Sequence, residues 1–306
     1  MTFARASLAL LALAGLARAQ SDDASYEQVA TIQENFPAAL ITPTYFPDSW
    51  FDIQGVLNVS FGGVSVGNIG DRLNLDQVQT SPTYRISTET KHADDADTFD
   101  GERRFTVAFL DTFVAGKDFG GKVNIHGLGN DYAVGDNGSL TNRSINAVPY
   151  AAPNPPANDG PHRYVQLVIQ QFPNFTAPEL GFTGAVGVNQ SFVDYYNNAK
   201  GGLGKVVAAN YIQIEVGQAA APATTAAPAP SAVSSLAAQK SAAVSLPPSN
   251  EASTSGTSSG SSAKPSSTGA GSGSGSGTSG AMSVGAAPLA AMAGMGAAAI
   301  LGALLL

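Results

Sequence analysis

A mainly β domain with a few short helices is the fold class the sequence predicts, and three observations predict it. Leu57, Val59 and Phe61 alternate with other residues, Phe105, Val107 and Phe109 repeat that period, and Tyr164 to Ile169 is almost continuously apolar. A period of two sorts side chains onto opposite faces of an extended chain, and an unbroken apolar run suits a strand covered on both faces.

Taken in order, Ser25 to Phe36 opens the folded part as a short helix, with Val29, Ile32 and Phe36 at helical spacing and Pro37 ending the pattern. Val56 to Phe61 is a strand, Gly62-Gly63 turns the chain, and Val64-Ser65-Val66 returns as its hairpin partner. Phe105 to Leu110 and Val123 to His126 are further strands, the second running into Gly127. From Gly127 to Gly160 the chain is rich in Gly, Asn and Pro and carries little β pattern, so it reads as a long functional loop. Tyr164 to Ile169 follows as the buried strand. Phe192 to Lys200 is the second helix, capped by Ser191 and closed by Gly201-Gly202, and Tyr211 to Val216 is the last strand.

The ends of the chain have a different character. Residues 1–19 combine Arg5, an apolar run and the triplet Ala17-Arg18-Ala19, the pattern of a secretory signal cleaved before Gln20. The apolar run is well short of the roughly 20 residues that span a bilayer. Residues 218–280 collapse to Ala, Ser, Thr, Gly and Pro and read as a disordered, O-glycosylated stalk. Residues 281–306 supply a spacer and an apolar tail with no positive charge after it, the order of a GPI-attachment signal. The expectation is a secreted chain held at the cell surface through a lipid, with residues 20–217 as its single domain.

That domain carries 22 acidic residues against 11 Lys and Arg, while the whole chain has a formal charge of -8. A nucleic-acid partner is excluded on that balance. The absence of cysteine removes thiol chemistry and cysteine-ligated metals, and leaves burial and hydrogen bonding to stabilise the fold. Sequons at Asn58, Asn137, Asn142, Asn174 and Asn189 agree with the secretory route, and each one used must face solvent.

Two chemical motifs fail on context. Gly63-Val64-Ser65-Val66-Gly67 has the spacing of a hydrolase nucleophile elbow, but no helix begins after Ser65. His92, Asp94, Asp95, Asp97 and Asp100 form an acidic cluster, yet with Asp95 first, Asp100 takes the place of the turn glycine of a calcium loop and Thr106 that of its bidentate glutamate. It reads as a solvated loop, and no metal or cofactor is expected. The sharper constellation is Gly160-Pro161-His162-Arg163-Tyr164, where a Gly-Pro turn delivers His162 and Tyr164 to one face at the start of a strand. An imidazole and a phenol there are donors for an anion, and a hydrogen-bonded structural histidine is the alternative.

Leu57 to Gly63 with Leu75 to Pro82, Phe105 to Asp111, Gly160 to Val165 and Leu203 to Glu215 together resemble the phosphatidylethanolamine-binding protein family, in a secreted, GPI-anchored fungal-type form. The resemblance implies a large central β-sheet, a smaller sheet and a few peripheral helices. It also implies an anion pocket lined by an Asp-Pro-Asp-x-Pro segment, a His-Trp segment and the G-x-H-R-Y turn. Carried over, this gives Gly160, Pro161, His162 and Tyr164 directly, Asp111 as the first aspartate and His126 as the downstream histidine. Thr112 to Ala115 stand where the family has its stiffening prolines, and Gly127 stands where it has tryptophan, so the pocket is expected to lose a rigid wall. The implied function is a non-catalytic module that binds a small anion or phospholipid headgroup, or masks a protease such as a serine carboxypeptidase. The alternatives are a structural wall or adhesion glycoprotein with a vestigial pocket, and a hydrolase using Asp111 with His126 or His162.

Overall fold

The structure is a computed structural model that describes residues 24–88, 98–219 and 225–245, all within one unit spanning Met1–Asn250. The expected signal segment, the loop residues His92, Asp94, Asp95 and Asp97, and the chain from 246 onward with its expected anchor tail lie outside the described residues.

Helix α1 covers Tyr26–Ala38 and begins where the sequence places it, because Ser25 and Gln28 form a reciprocal cap. The Ser25 hydroxyl accepts from the Gln28 amide at 3.2 Å, and Gln28 Oε1 accepts from the Ser25 amide at 2.8 Å. The helix runs one residue past Pro37, whose missing donor and ring crowding fall in the last turn and end the helix there.

Strands β1 (Gly55–Phe61), β2 (Val64–Ser65) and β3 (Pro82–Thr88) form a three-stranded antiparallel sheet in the order β2-β1-β3. The larger sheet runs β6 (Leu140–Asn142), β5 (Val123–Val134), β4 (Arg104–Val114), β7 (His162–Gln171) and β9 (Leu203–Ile214), with β8 (Gly187–Gln190) pairing β5. Helix α2, Phe192–Asn198, is capped by Ser191 as expected.

The layers explain the sequence pattern. Leu57, Val59 and Phe61 pack with Phe105, Val107, Phe109, Tyr164 and Val168 between the two sheets. Ala108, Leu110, Val165, Leu167 and Ile169 face the other way, toward α1, α2 and the Tyr45 to Phe51 segment. The middle strands of the large sheet are therefore buried on both faces, which is why β7 reads as a continuous apolar run. The free side of β9 is closed by two passing segments: Gln54 N donates to Val207 O at 2.8 Å, and Leu73 N donates to Gln213 O at 3.0 Å. Such cover removes an edge that would otherwise pair with another chain.

Three expectations need correction. The stretch from Gly127 to Gly160 is not all loop, because β5 continues through Gly127 and Gly129 to Val134 and β6 follows. A Cβ at Gly129 would lie 2.6 Å from the Tyr132 ring, so this glycine serves close packing inside a strand instead of breaking it. The last strand starts at Leu203 and ends at Ile214, so Val216 lies beyond it; double burial of Val206 to Ala209 hides the alternation. Finally, Pro230–Ser245, inside the stretch expected to be a disordered stalk, forms helix α3 against α1. Val233 is buried and the Lys240 ammonium donates to Ile53 O at 2.9 Å.

Candidate functional site

Three elements of the large sheet meet at one end and bring Asp111, His126, His162 and Tyr164 together. Asp111 lies near the end of β4, just before a register irregularity between Asp111 and Val114. There the chain turns so that Phe113 takes φ 56°, and its amide donates to Asp111 Oδ1 at 2.7 Å. Asn124, on β5, adds a longer contact from its side-chain amide to Asp111 Oδ2 at 3.4 Å.

His162 opens β7 from the Gly160-Pro161 turn, both of whose residues are buried. Gly160 adopts φ 106°, a backbone setting that favours glycine. The His162 ring places Nδ1 3.1 and 3.0 Å from the two oxygens of Asp111 and Nε2 3.1 Å from Asp159 Oδ2. Asp159 is bridged in turn to the Lys117 ammonium. Tyr164 shares the face of His162, with ring centroids 6.3 Å apart, and meets His126 edge-on at 5.3 Å. His126 Nδ1 lies 3.1 Å from Ala151 O, an arrangement that makes Nδ1 the donor in the neutral ring.

The two imidazoles are driven apart electrostatically. Burial pushes the His162 pKa down, but the hydrogen bonds and charges of Asp111 and Asp159 outweigh it, and the net shift is upward. His126 moves the opposite way, because burial outweighs its bond to Ala151 and the charge of Asp111. Burial and the Asp111 charge together raise Tyr164, which stays a neutral phenol. Lys117, by its hydrogen bond above all, lowers Asp159.

Arg163 was quoted in the sequence motif without a role, and the structure gives it one. It points to the face opposite His162, is 1% exposed, and donates from Nε to Phe113 O at 3.0 Å, from a terminal nitrogen to Thr112 O at 2.7 Å, and to Ala39 O. Thr112 completes the link by donating its hydroxyl to Arg163 O at 3.1 Å. The loop after Asp111, which lacks the family prolines, is thus held by a guanidinium fork. Asp159, Lys117, Asn124 and Arg163 all escaped sequence reading. Arg163 alone carried a signal: an arginine between two same-face residues of a buried strand must find acceptors behind the sheet.

His162 was expected to line an anion pocket, and the structure buries it instead. The His162 and Asp111 side chains are each 3% exposed, because Asp159 covers the outward nitrogen of the ring. Open hollows lie elsewhere, one of about 560 Å³ over Asn58, Thr83 and Arg85 and one of about 610 Å³ beside Arg104 and Phe172. Ser65 lies on the hairpin strand β2, as the sequence implied, and is exposed.

The two sheets and their shared core define a β-sandwich-like domain with a buried Asp-His pair at one end of the larger sheet. The family model for phosphatidylethanolamine-binding protein matches residues 49–212, more than half of the chain, and the chain belongs to that family. Among solved structures it is similar to a carboxypeptidase Y inhibitor complexed with its cognate proteinase, at 18% identity over 61% of this chain and 95% of that one, with a TM-score of 0.47. It is also similar to phosphatidylethanolamine-binding proteins from Plasmodium falciparum (23% identity, 60% and 97% covered, TM-score 0.43) and Plasmodium vivax (18%, 64% and 100%, 0.42). No curated protein matches the chain.

Proposed function

We infer that the chain is a non-catalytic binding module for a small oxyanion, of the kind a phosphate or a phospholipid headgroup presents. One observation carries the reading: His162 Nε2 already holds a carboxylate oxygen at 3.1 Å, so an oxyanion fits beside the buried ring. Each ring nitrogen faces a carboxylate oxygen and is placed to donate to it, with Tyr164 as a neutral phenol alongside. The same arrangement argues against hydrolysis. With each nitrogen of His162 facing a carboxylate and placed to donate to it, that ring offers no lone pair to serve as a general base.

The domain is presented, on this reading, at the outer face of a cell after removal of residues 1–19 and lipid attachment near the start of 281–306, in the fungal manner the resemblance implies. Release of the surface form by a phosphoinositide-specific phospholipase tests the anchor. The binding itself is tested by titrating the purified chain with inorganic phosphate and with O-phosphoethanolamine while following the His162 ring by NMR. A saturable shift supports it. A folded chain whose ring is unmoved by either compound, in the wild type and with Asp159 replaced, sinks it.

A further inference from the structure

Asp159 stands between the buried pair and solvent. Its side chain is 31% exposed, against 3% for His162. One of its oxygens faces His162 Nε2 and the other Lys117 Nζ, so a single carboxylate bridges two cationic donors. The backbone around it is fixed. Asn158 N donates to Val216 O at 2.7 Å, Asn158 Oδ1 accepts from the Gln218 amide at 3.1 Å, and Gly160 and Pro161 are buried. Moving the Asp159 carboxylate outward therefore takes a side-chain rotation and opens no core.

We propose that Asp159 is an internal ligand of this site, and that a phosphate-bearing anion binds by displacing it and taking its place between His162 Nε2 and Lys117 Nζ. The proposal rests on the binding reading above and adds the residue that sets its affinity and selectivity. A tethered carboxylate competes at no translational cost, so a free monocarboxylate of the same chemistry gains nothing by replacing it. A phosphate offers more charge and three terminal oxygens, enough to serve both donors at once. Lys117, with its side chain 43% exposed, can follow the incoming group. The site is built to reject carboxylates and admit phosphates. Its apparent affinity scales with the fraction of molecules in which Asp159 is swung out, so an open fraction of about one in ten costs about tenfold.

The experiment compares wild type, Asp159→Ala and the near-isosteric Asp159→Asn, each titrated with inorganic phosphate and with acetate while the His162 ring is followed by NMR. Both variants are expected to bind phosphate at least about tenfold more tightly than wild type. They should also gain measurable acetate binding, and adding Lys117→Ala to Asp159→Ala should reverse most of the phosphate gain. Equal phosphate affinity in wild type and both variants overturns the proposal while leaving the binding reading intact. Tighter binding that survives loss of Lys117 overturns the bridging geometry. Absence of phosphate binding in all three folded proteins overturns the proposal together with the reading it rests on.

Discussion

Asp111 Oδ2 lies 3.0 Å from His162 Nδ1, across two neighbouring strands, with only 3% of either side chain exposed. A pair so placed is expensive to break, because removal of one member leaves the other buried without compensation. His162→Ala is accordingly expected to cost about 3–5 kcal/mol, read from urea unfolding at pH 6. A loss below about 1 kcal/mol would put the ring back at a solvent-filled mouth. Asp159→Ala removes a half-exposed ion pair and should stay within about 1 kcal/mol of wild type.

The two histidines should also titrate in opposite directions. By NMR, His162 is expected above the ordinary value of about 6.5 and His126 below it. For His162 the folded pKa is raised, so its stabilisation is complete below about pH 6.5 and is lost as pH rises through the folded value. For His126 the folded pKa is depressed, so protonation favours the unfolded chain and stability falls as pH drops below about 6.5. Asp159, with a lowered pKa, adds a loss at more acid pH, as the medium falls through its folded value. A melting-temperature difference between wild type and His162→Gln that grows from pH 6 to pH 9 would contradict this assignment.

Arg163 gives a prediction about the loop that carries Asp111. Its fork supplies donors to Phe113 O, Thr112 O and Ala39 O, and a lysine cannot reproduce that planar geometry. Arg163→Lys should cost at least about 2 kcal/mol, through carbonyls left without partners. It should also speed amide exchange at Phe113, whose N–H is bonded to Asp111. Unchanged exchange at Phe113 would show that the loop holds itself.

Exposure divides the five sequons. Asn137, Asn174 and Asn189 are exposed, whereas Asn58 donates its amide to Ser87 Oγ at 2.9 Å and Asn142 donates to Asn146. A glycan on either half-buried amide would forfeit that bond and press against the sheet. Glycopeptide mass spectrometry of the chain expressed through a secretory pathway is expected to find sugar at the first three sites and little at Asn58 or Asn142. Full occupancy at Asn58 would show that the hollow over β1 and β3 has room for a sugar once the bond to Ser87 is given up.

The elements legible in the sequence are those with one plain signal. Ser25 and Gln28 spell a capping box, Leu57-Val59-Phe61 spells a half-buried strand, and Ser191 with Gly201 brackets α2. Strands buried on both faces lose their alternation, so β9 is legible only in its last third, from Tyr211 to Ile214, while β5 is legible only up to its glycines. Within the site, the groups on regular strands, Asp111, His162 and Tyr164, follow from motif and period. Asp159 does not. Its meeting with His162 depends on a turn in which Asn158 takes φ 63° and Gly160 φ 106°, and no pattern of side chains encodes that path.

Helix α3 was missed for a different reason and leads to the last prediction. Scanned for aromatic and large aliphatic residues, Pro230–Ser245 has too few to close a core, yet it is rich in alanine, the best helix former, and opens with proline at the first position. Val233, Leu236, Ala237 and Lys240 recur at helical spacing and are the less exposed positions, so the helix needs only a narrow stripe against α1. Such a helix is weak alone and depends on its neighbour. Lys240 reaches both Asp52 and Ile53 O, tying α3 to the segment that runs beside β9. Limited proteolysis should therefore spare 230–245 and cut on its far side, leaving a core fragment that extends beyond 218. Replacing Val233 by Asp and Lys240 by Ala should move cleavage inward, without altering the histidine titrations, because α3 lies on the face of the sheet away from Tyr164. Cleavage within 230–245 in the wild type, as fast as in that variant, would show that α3 does not hold against α1 in solution.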